Sequence, residues 1–388
     1  MSNELTYKNA GVDYDPMDAF KRYAGYCALY TAGNASHLGV SSLSMSRGES
    51  AFITRGPHGF VGQVDEGLGT KNVVADDFAV AMRGLLSIAE QMPCPTTAPM
   101  FRNPHIGYRF AAQCTLAMIV NDMITGRIFP TSVMMHLSVG SSDWFRNRSR
   151  AEELVYGWML ACQDARCVWG GGETAVLKDI IYPDRCVLSG SALGVPIAGK
   201  GVAAEEIEDG DLIIFLDGNG IHANGLTLAR AVADRVQGGY VAQLSDGRTY
   251  GEALLAPTPL YVRFVEACIR ADVRIKYMVN ITGHGWRKLM RLDLPFRYMV
   301  EAPEISPLFA FIQEKAGISD REMYGTFNMG PGFALIVHPE DADKVVGDLR
   351  HVLNRRAWVG GRVEKSTSKS VVIRNRYIEF SADELQIR

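Results

Sequence analysis

No stretch of this 388-residue sequence approaches the roughly 18 consecutive apolar residues a membrane-spanning helix needs, and the opening "MSNELTYKNAGVDYDP" has no basic segment followed by an apolar run. The expectation is a cytoplasmic protein with no membrane partner. An excess of positive charge is also missing: 40 Lys and Arg against 43 Asp and Glu leave a formal charge of −3, so no basic field is present to hold a nucleic acid. The seven cysteines, an odd number, form no Cys-x-x-Cys pair and fit a reducing compartment, mostly as small buried hydrophobes. His-Glu-x-x-His, the Gly-x-x-x-x-Gly-Lys phosphate loop and Gly-x-Gly-x-x-Gly are all absent. A nucleotide, if used, is held by another scaffold.

What is present is a chain 47% hydrophobic and too long for one core, since single cores stop growing at roughly 250–300 residues. Two domains are expected, 1–199 and 200–388, divided near the acidic, glycine-flanked run "GKGVAAEEIEDGD" at 199–211. Apolar periodicity predicts helices near 17–31, 77–91 and 107–127 in the first half, with strands near 57–64, 131–138 and 184–195. In the second half it predicts strands at 211–216, 333–338, 357–364 and 370–380, and helices near 225–236, 258–272 and 340–353. Such a mixture gives an α+β class. The proline-bearing run 92–106 suits neither helix nor strand and reads as a lid or an exposed insertion.

Several stretches carry chemistry-bearing side chains. "VDEGLGTKNVVAD" (64–76) places Asp65 and Glu66 at a strand end, followed by Gly67, Gly69, Thr70 and Lys71. Carboxylates can hold Mg²⁺, which keeps several waters and shares phosphate oxygens, while a lysine neutralises those phosphates; a solvated hairpin has the same composition. "AMIVNDMITG" (117–126) sets Asn121 and Asp122 inside an apolar helical run. If buried, each needs a partner, because an unsatisfied group costs about 1–3 kcal/mol; the alternative is a helix end facing solvent. "VWGGGETAVLKD" (168–179) puts three glycines, Gly172 among them, before Glu173 and Thr174, either to bring backbone close to a ligand or simply as a turn.

"DGDLIIFLDGNGIHANGLTLAR" (209–230) runs from an apolar strand through Gly218, Gly220 and Gly225 into a helix, with Asn224 placed to cap it. Free N–H groups at such a helix start suit an anion. An ordinary capped connection leaves His222, which looks exposed, without a reason. "ITGHGWRKL" (281–289), with Gly283 and His284, and "MYGTFNMGPGFALIV" (323–337) are further glycine loops able to cradle anions.

Taken in order, "YKNAGVDYD" (7–15), "EGLGTK" (66–71), "VND" (120–122), "GGETA" (171–175), "GDLIIFLDGNGIHANGLTLAR" (210–230), "GEALLAPTPLYV" (251–262), "ITGHG" (281–285) and "MYGTFNMGPGFALIVHPEDADKV" (323–345) resemble the aminoimidazole ribonucleotide synthetase family, the phosphoribosylformylglycinamidine cyclo-ligases. The resemblance implies an α+β fold of two AIR-synthase-like domains. The N-terminal, ferredoxin-like one pairs in a homodimer to form a shared β-barrel. It implies ATP and Mg²⁺ as cofactors and formylglycinamidine ribonucleotide as substrate, closed to an imidazole by phosphorylation of its amide oxygen. Carried over by position, Glu66, Gly67, Gly69, Thr70, Lys71, Asn121 and Asp122 would serve Mg-ATP, with Asp65, Glu66 and Asp122 as metal ligands. Lys8 and Asp13 would lie in an arm folding over the nucleotide. Gly172, Glu173, Thr174, His222, Asn224, Gly283 and His284 would face the substrate, with His222, Glu173 and Lys71 catalytic.

The sequence departs from the family pattern where "EGLGTK" replaces "DGVGTK", at "GRIFP" (126–130), at "VLKDIIYPD" (176–184), and at His284, which stands in a loop usually made of three glycines. These changes keep two alternatives in play: a divergent member of the same ATP-binding superfamily acting on another amide or phosphoryl acceptor, and a non-catalytic nucleotide-binding homologue.

Overall fold

The computed structural model describes residues 5–89, 103, 105–202 and 205–385, with the side chains of 85–89 left aside. The expected insertion at 92–106 therefore falls largely outside the described residues. Two sheets lie on either side of the 199–211 run, as an α+β chain of two units requires.

The first sheet has the order β1-β2-β3-β6-β4-β5. Its strands are β1 (Ser41–Ser42), β2 (Phe52–Gly56), β3 (Gly59–Gly67), β4 (Phe129–Val139), β5 (Val168–Val176) and β6 (Cys186–Val195). Helix α1 (Tyr14–Leu29) precedes the sheet, while α2 (Lys71–Ala89), α3 (Ile106–Thr125) and α4 (Arg148–Ala165) belong to the same half. Helix α3 packs against β3, β4 and β6 on one side and against a strand of the second sheet, Ile275–Asn280, on the other. It is apolar all round because both sides are buried, which is how Asn121 and Asp122 come to lie inside the protein. The far face of the sheet is different: Met134, Val187, Leu193 and Val195 are exposed there.

The second sheet has seven strands: β7 (Leu212–Asp217), β8 (Ile275–Asn280), β9 (Phe296–Val300), β10 (Pro331–Val337), β11 (Ala357–Lys365), β12 (Ser370–Ile373) and β13 (Ile378–Ser381). Their order is β13-β12-β9-β11-β7-β10-β8, with every pair antiparallel except β9 and β12. Strand β10 is buried at each of its residues, as its unbroken apolar run "FALIV" requires.

Several expectations need correction. The strand placed at 57–64 is a hairpin: Pro57 and His58 form the turn between β2 and β3. The 168–176 stretch is not a glycine turn but edge strand β5, paired parallel with β4 and irregular in register at its glycines. A Cβ at Gly172 would collide with the Met135 carbonyl, so this glycine answers to close strand packing and not to a ligand. The helix expected at 258–272 is the shorter Val262–Arg270, since Pro257 and Pro259 hold the preceding chain extended. The helix expected at 340–353 is broken into a 3₁₀ turn, a π turn and four α residues, and 370–380 is the hairpin β12–β13. Asn224 does not cap the helix after its loop: Gly225 occupies the cap at φ +72 with no side-chain bond, and the helix is the short Leu226–Ala233.

Candidate active site

Strand β3 delivers Glu66 to the inner face of its sheet, and α3 delivers Asp122 from behind. Both line an open cavity of about 950 Å³ bordered by α1, by the 282–284 loop and by Arg47, Lys288 and Arg291. Burial, followed by the nearby Asp122 charge, pushes the Glu66 carboxyl up to about 7. Asp122 Oδ1 accepts from Asn280 Nδ2 at 2.6 Å, and Lys288 Nζ donates to the Asn280 carbonyl at 3.4 Å and to Thr282 Oγ1. Burial lowers the Lys288 ammonium from its ordinary value, against the pull of Asp122.

The cluster is incompletely satisfied within the chain. Asn280 Oδ1, Asn224 Nδ2 and both ring nitrogens of His284 are buried without a hydrogen-bond partner. An orphaned acceptor beside two carboxylates suits a hydrated cation, while an orphaned donor among Lys21, Arg22, Lys288 and Arg291 suits an anion. Among the described residues no group of three His, Cys, Asp or Glu side chains is placed to hold a metal. The pair Glu66 and Asp122 nevertheless fits Mg²⁺, which binds through one or two carboxylates and takes its other ligands from water and phosphate.

The remaining sequence-predicted residues are dispersed. Asp65 alternates with Glu66 along β3, so it is exposed on the opposite face and does not join the carboxylate pair. Lys71 is wholly buried, with Nζ donating to the carbonyls of His222 at 2.8 Å and Ala256 at 2.9 Å; it ties the first half of the chain to the second and does not line the cavity. Asn121 is a similar tie, giving Nδ2 to the Pro259 carbonyl at 2.9 Å and accepting the Tyr261 N–H at 3.0 Å. Gly67 ends β3, and Gly69 and Thr70 form the turn into α2, with Gly69 at φ +70.

His222 is not exposed. Its backbone sits at φ +60 and its ring lies fully buried against Gly218 and Gly332, where a Cβ on either glycine would crowd it. Burial pushes the imidazole down to about 3, so the ring is neutral. Glu173 and Thr174 lie exposed on edge strand β5, where the Thr174 N–H donates to the Glu173 carboxylate at 3.0 Å. Neither meets His222 or the cavity. Lys8 and Asp13 pair with each other at 2.8 Å. Asp13 also accepts the Asp15 N–H as the cap of α1. Asn224, Gly283 and His284 do line the cavity.

Sequence reasoning missed Asn280 and Lys288, which flank the "ITGHG" motif by one residue before and three after. The signal was faint: an asparagine ending an apolar strand and a lysine one turn into a helix-like segment.

Comparison with known proteins places this site in context. Residues 75–196 match the N-terminal domain, and 208–374 the C-terminal domain, of AIR synthase related proteins. Asp122, Asn224, Asn280, His284 and Lys288 fall inside those matches, whereas Glu66 and Lys71 precede them. Among curated proteins, a phosphoribosylformylglycinamidine cyclo-ligase of Methanococcus maripaludis strain C5 is 38% identical over 253 residues, covering 65% of this chain and 70% of that protein. Those of Methanocaldococcus jannaschii and Oceanobacillus iheyensis are 37% and 33% identical over 254 residues each, spanning 71% and 72% of their lengths and 65% and 64% of this chain. Among solved structures, a chain of the HypE-HypF complex aligns with a TM-score of 0.55 at 14% identity, over 86% of this chain and 93% of that one. The hydrogenase maturation protein HypE aligns at 0.53 and 14%, over 71% and 83%. At such identity these two likenesses speak for the fold alone. Among the described residues no helix is long and apolar enough to cross a membrane.

Proposed function

The chain belongs to the phosphoribosylformylglycinamidine cyclo-ligase (AIR synthase) family, and from that premise we propose that it is a ligase catalysing ATP-dependent closure of formylglycinamidine ribonucleotide to aminoimidazole ribonucleotide. The γ-phosphoryl group passes to the substrate amide oxygen, an internal nitrogen attacks the activated carbon, and the oxygen departs with phosphate. An amide oxygen leaves poorly and phosphate leaves well, so the work of the protein is positioning and charge neutralisation.

The observation that carries the reading is the Glu66, Asp122, Asn280 and Lys288 cluster at the floor of a cation-lined cavity. Mg²⁺, when held by Glu66 and Asp122, would neutralise phosphate charge. Lys288, Arg291, Lys21 and Arg22 would orient the phosphates, while Asn224 and the 283–284 backbone would meet the substrate. The two alternatives, a divergent acceptor and a non-catalytic homologue, draw no support from the relatives' common name. Expression in a purine auxotroph lacking the cyclo-ligase tests the proposal: growth without purine supports it, and failure by folded, expressed protein counts against it.

The raised Glu66 carboxyl gives a prediction with a definite sign. Below about pH 7 the group holds its proton in the unliganded protein, and a metal ligand must be ionised. Binding of Mg-ATP at pH 6 is therefore expected to release a substantial fraction of a proton, falling to almost none at pH 8.5. Calorimetry in buffers of different ionisation enthalpy measures this directly; release that does not change over this range would remove Glu66 from the metal site.

We set the domain boundary at 199/200 and propose a cytosolic homodimer formed through the outer face of the first sheet. An open apolar sheet face needs a cover, and Met134, Val187, Leu193 and Val195 provide a self-complementary patch. The wild type is expected to run as a dimer in light scattering at micromolar concentration. The double substitution Val187→Asp, Leu193→Glu is expected to give monomer; a monomeric wild type would contradict the assignment.

A further inference from the structure

Of the departures from the family pattern, Arg127 donates to the Ile275 carbonyl and Ile128 packs beneath Gly62, both away from the candidate site. Glu66, already part of the carboxylate pair, and His284 stand in the cavity. The His284 backbone lies at φ +67, in the left-handed region that residues other than glycine seldom enter, histidine being among those found there more often than most. The contacts of its ring lie on α1. The His284 ring stacks on Tyr14, with centroids 4.0 Å apart and planes at 26°. The His284 N–H donates to the Tyr14 hydroxyl at 3.3 Å, while Nε2, on a ring that burial keeps neutral, lies 3.7 Å from Asp18 Oδ1, beyond hydrogen-bond reach.

These contacts weigh heavily because α1 has few others. It buries only one of its 16 residues, Asp18. Phe20 and Tyr23 extend outward, 72% and 68% exposed. Upstream, the Leu5 N–H donates to the Ala316 carbonyl at 3.1 Å and the Tyr7 N–H to Glu322 at 3.3 Å, so the chain is tied down before the helix begins. A helix with so little buried surface is not held in place by burial, and it sits at the low-stability end of the structure. The same helix forms one wall of the cavity, through Tyr14, Lys21 and Arg22.

We infer that His284 is a positioning residue: by clamping Tyr14 it fixes α1 as the wall that closes the cavity over the Glu66 and Asp122 floor. That a nucleotide occupies the cavity rests on the function proposed above; the clamp itself does not.

The test separates the two. His284→Asn keeps a residue suited to the left-handed backbone but removes the stacked ring. Limited trypsin digestion, followed by mass spectrometry of cleavage after Lys21 and Arg22, is expected to be about tenfold faster in His284→Asn and Tyr14→Ala than in wild type. Tyr14→Phe, which retains the stack, is expected to keep most of the protection. In steady-state kinetics His284→Asn is expected to raise KM for ATP about tenfold while kcat falls less than about threefold, the pattern of lost closure and not of lost chemistry. A folded His284→Asn cut at the wild-type rate would overturn the clamp, and faster cutting with unchanged KM would overturn its closing role. A wild type inactive toward formylglycinamidine ribonucleotide would sink the functional reading while leaving the proteolysis result to stand.

Discussion

Asp122→Asn is expected to lower kcat/KM for ring closure by about a thousandfold, a loss of about 4 kcal/mol of transition-state stabilisation. The substitution is isosteric, and the new amide oxygen can still accept from Asn280 Nδ2, which donates to Asp122 at 2.6 Å, so the local fold should survive. What disappears is one of the two carboxylates that fit a cation, and with it the charge that helps hold the Glu66 carboxyl near 7. The same variant should therefore ionise Glu66 at lower pH, and the proton released with Mg-ATP at pH 6 should diminish. Thermal stability should be unchanged or slightly higher, because two neighbouring carboxylates repel each other when no metal is bound. Activity within about fivefold of wild type would remove Asp122 from the phosphate site.

The second large effect is expected on stability. Lys71→Ala takes away a buried ammonium that serves two carbonyls, His222 and Ala256, across the two halves of the chain. Orphaning both acceptors should cost about 2–4 kcal/mol in chemical denaturation, reduced from a larger sum because the buried cation is itself expensive. ATP affinity of the folded variant should stay within about threefold of wild type. A stable Lys71→Ala protein that has lost ATP binding would return this lysine to the phosphate site, where the resemblance had placed it.

Lys71 illustrates which parts of the site were legible in the sequence. Glu66 and Asp122 could be found because each stands next to a boundary that the chain announces, a strand running into glycines and a polar pair inside an apolar helix. Which way a side chain points once the halves pack together is written nowhere locally. Asp65 and Glu66 are equally acidic, and only strand alternation against the sheet partner sends one inward. His222 looked exposed because it sits among glycines, yet those glycines make room for its buried ring. The triple glycine before Glu173 suggested a ligand, whereas Gly172 answers to the Met135 carbonyl of the neighbouring strand. Long apolar runs such as 331–337 and 106–125 were placed to within two residues at each end. The 340–353 segment failed because its apolar periodicity does not report a π turn.

The most direct test of the central claim is a single-turnover reaction of purified protein with Mg-ATP and formylglycinamidine ribonucleotide labelled with ¹⁸O at the amide oxygen. Phosphoryl transfer to that oxygen requires the label to appear in the released phosphate, in step with aminoimidazole ribonucleotide. The account predicts one labelled phosphate per ring closed in the wild type, and neither product in Asp122→Asn on the same timescale. Unlabelled phosphate, or ATP hydrolysis with no imidazole formed, would contradict it.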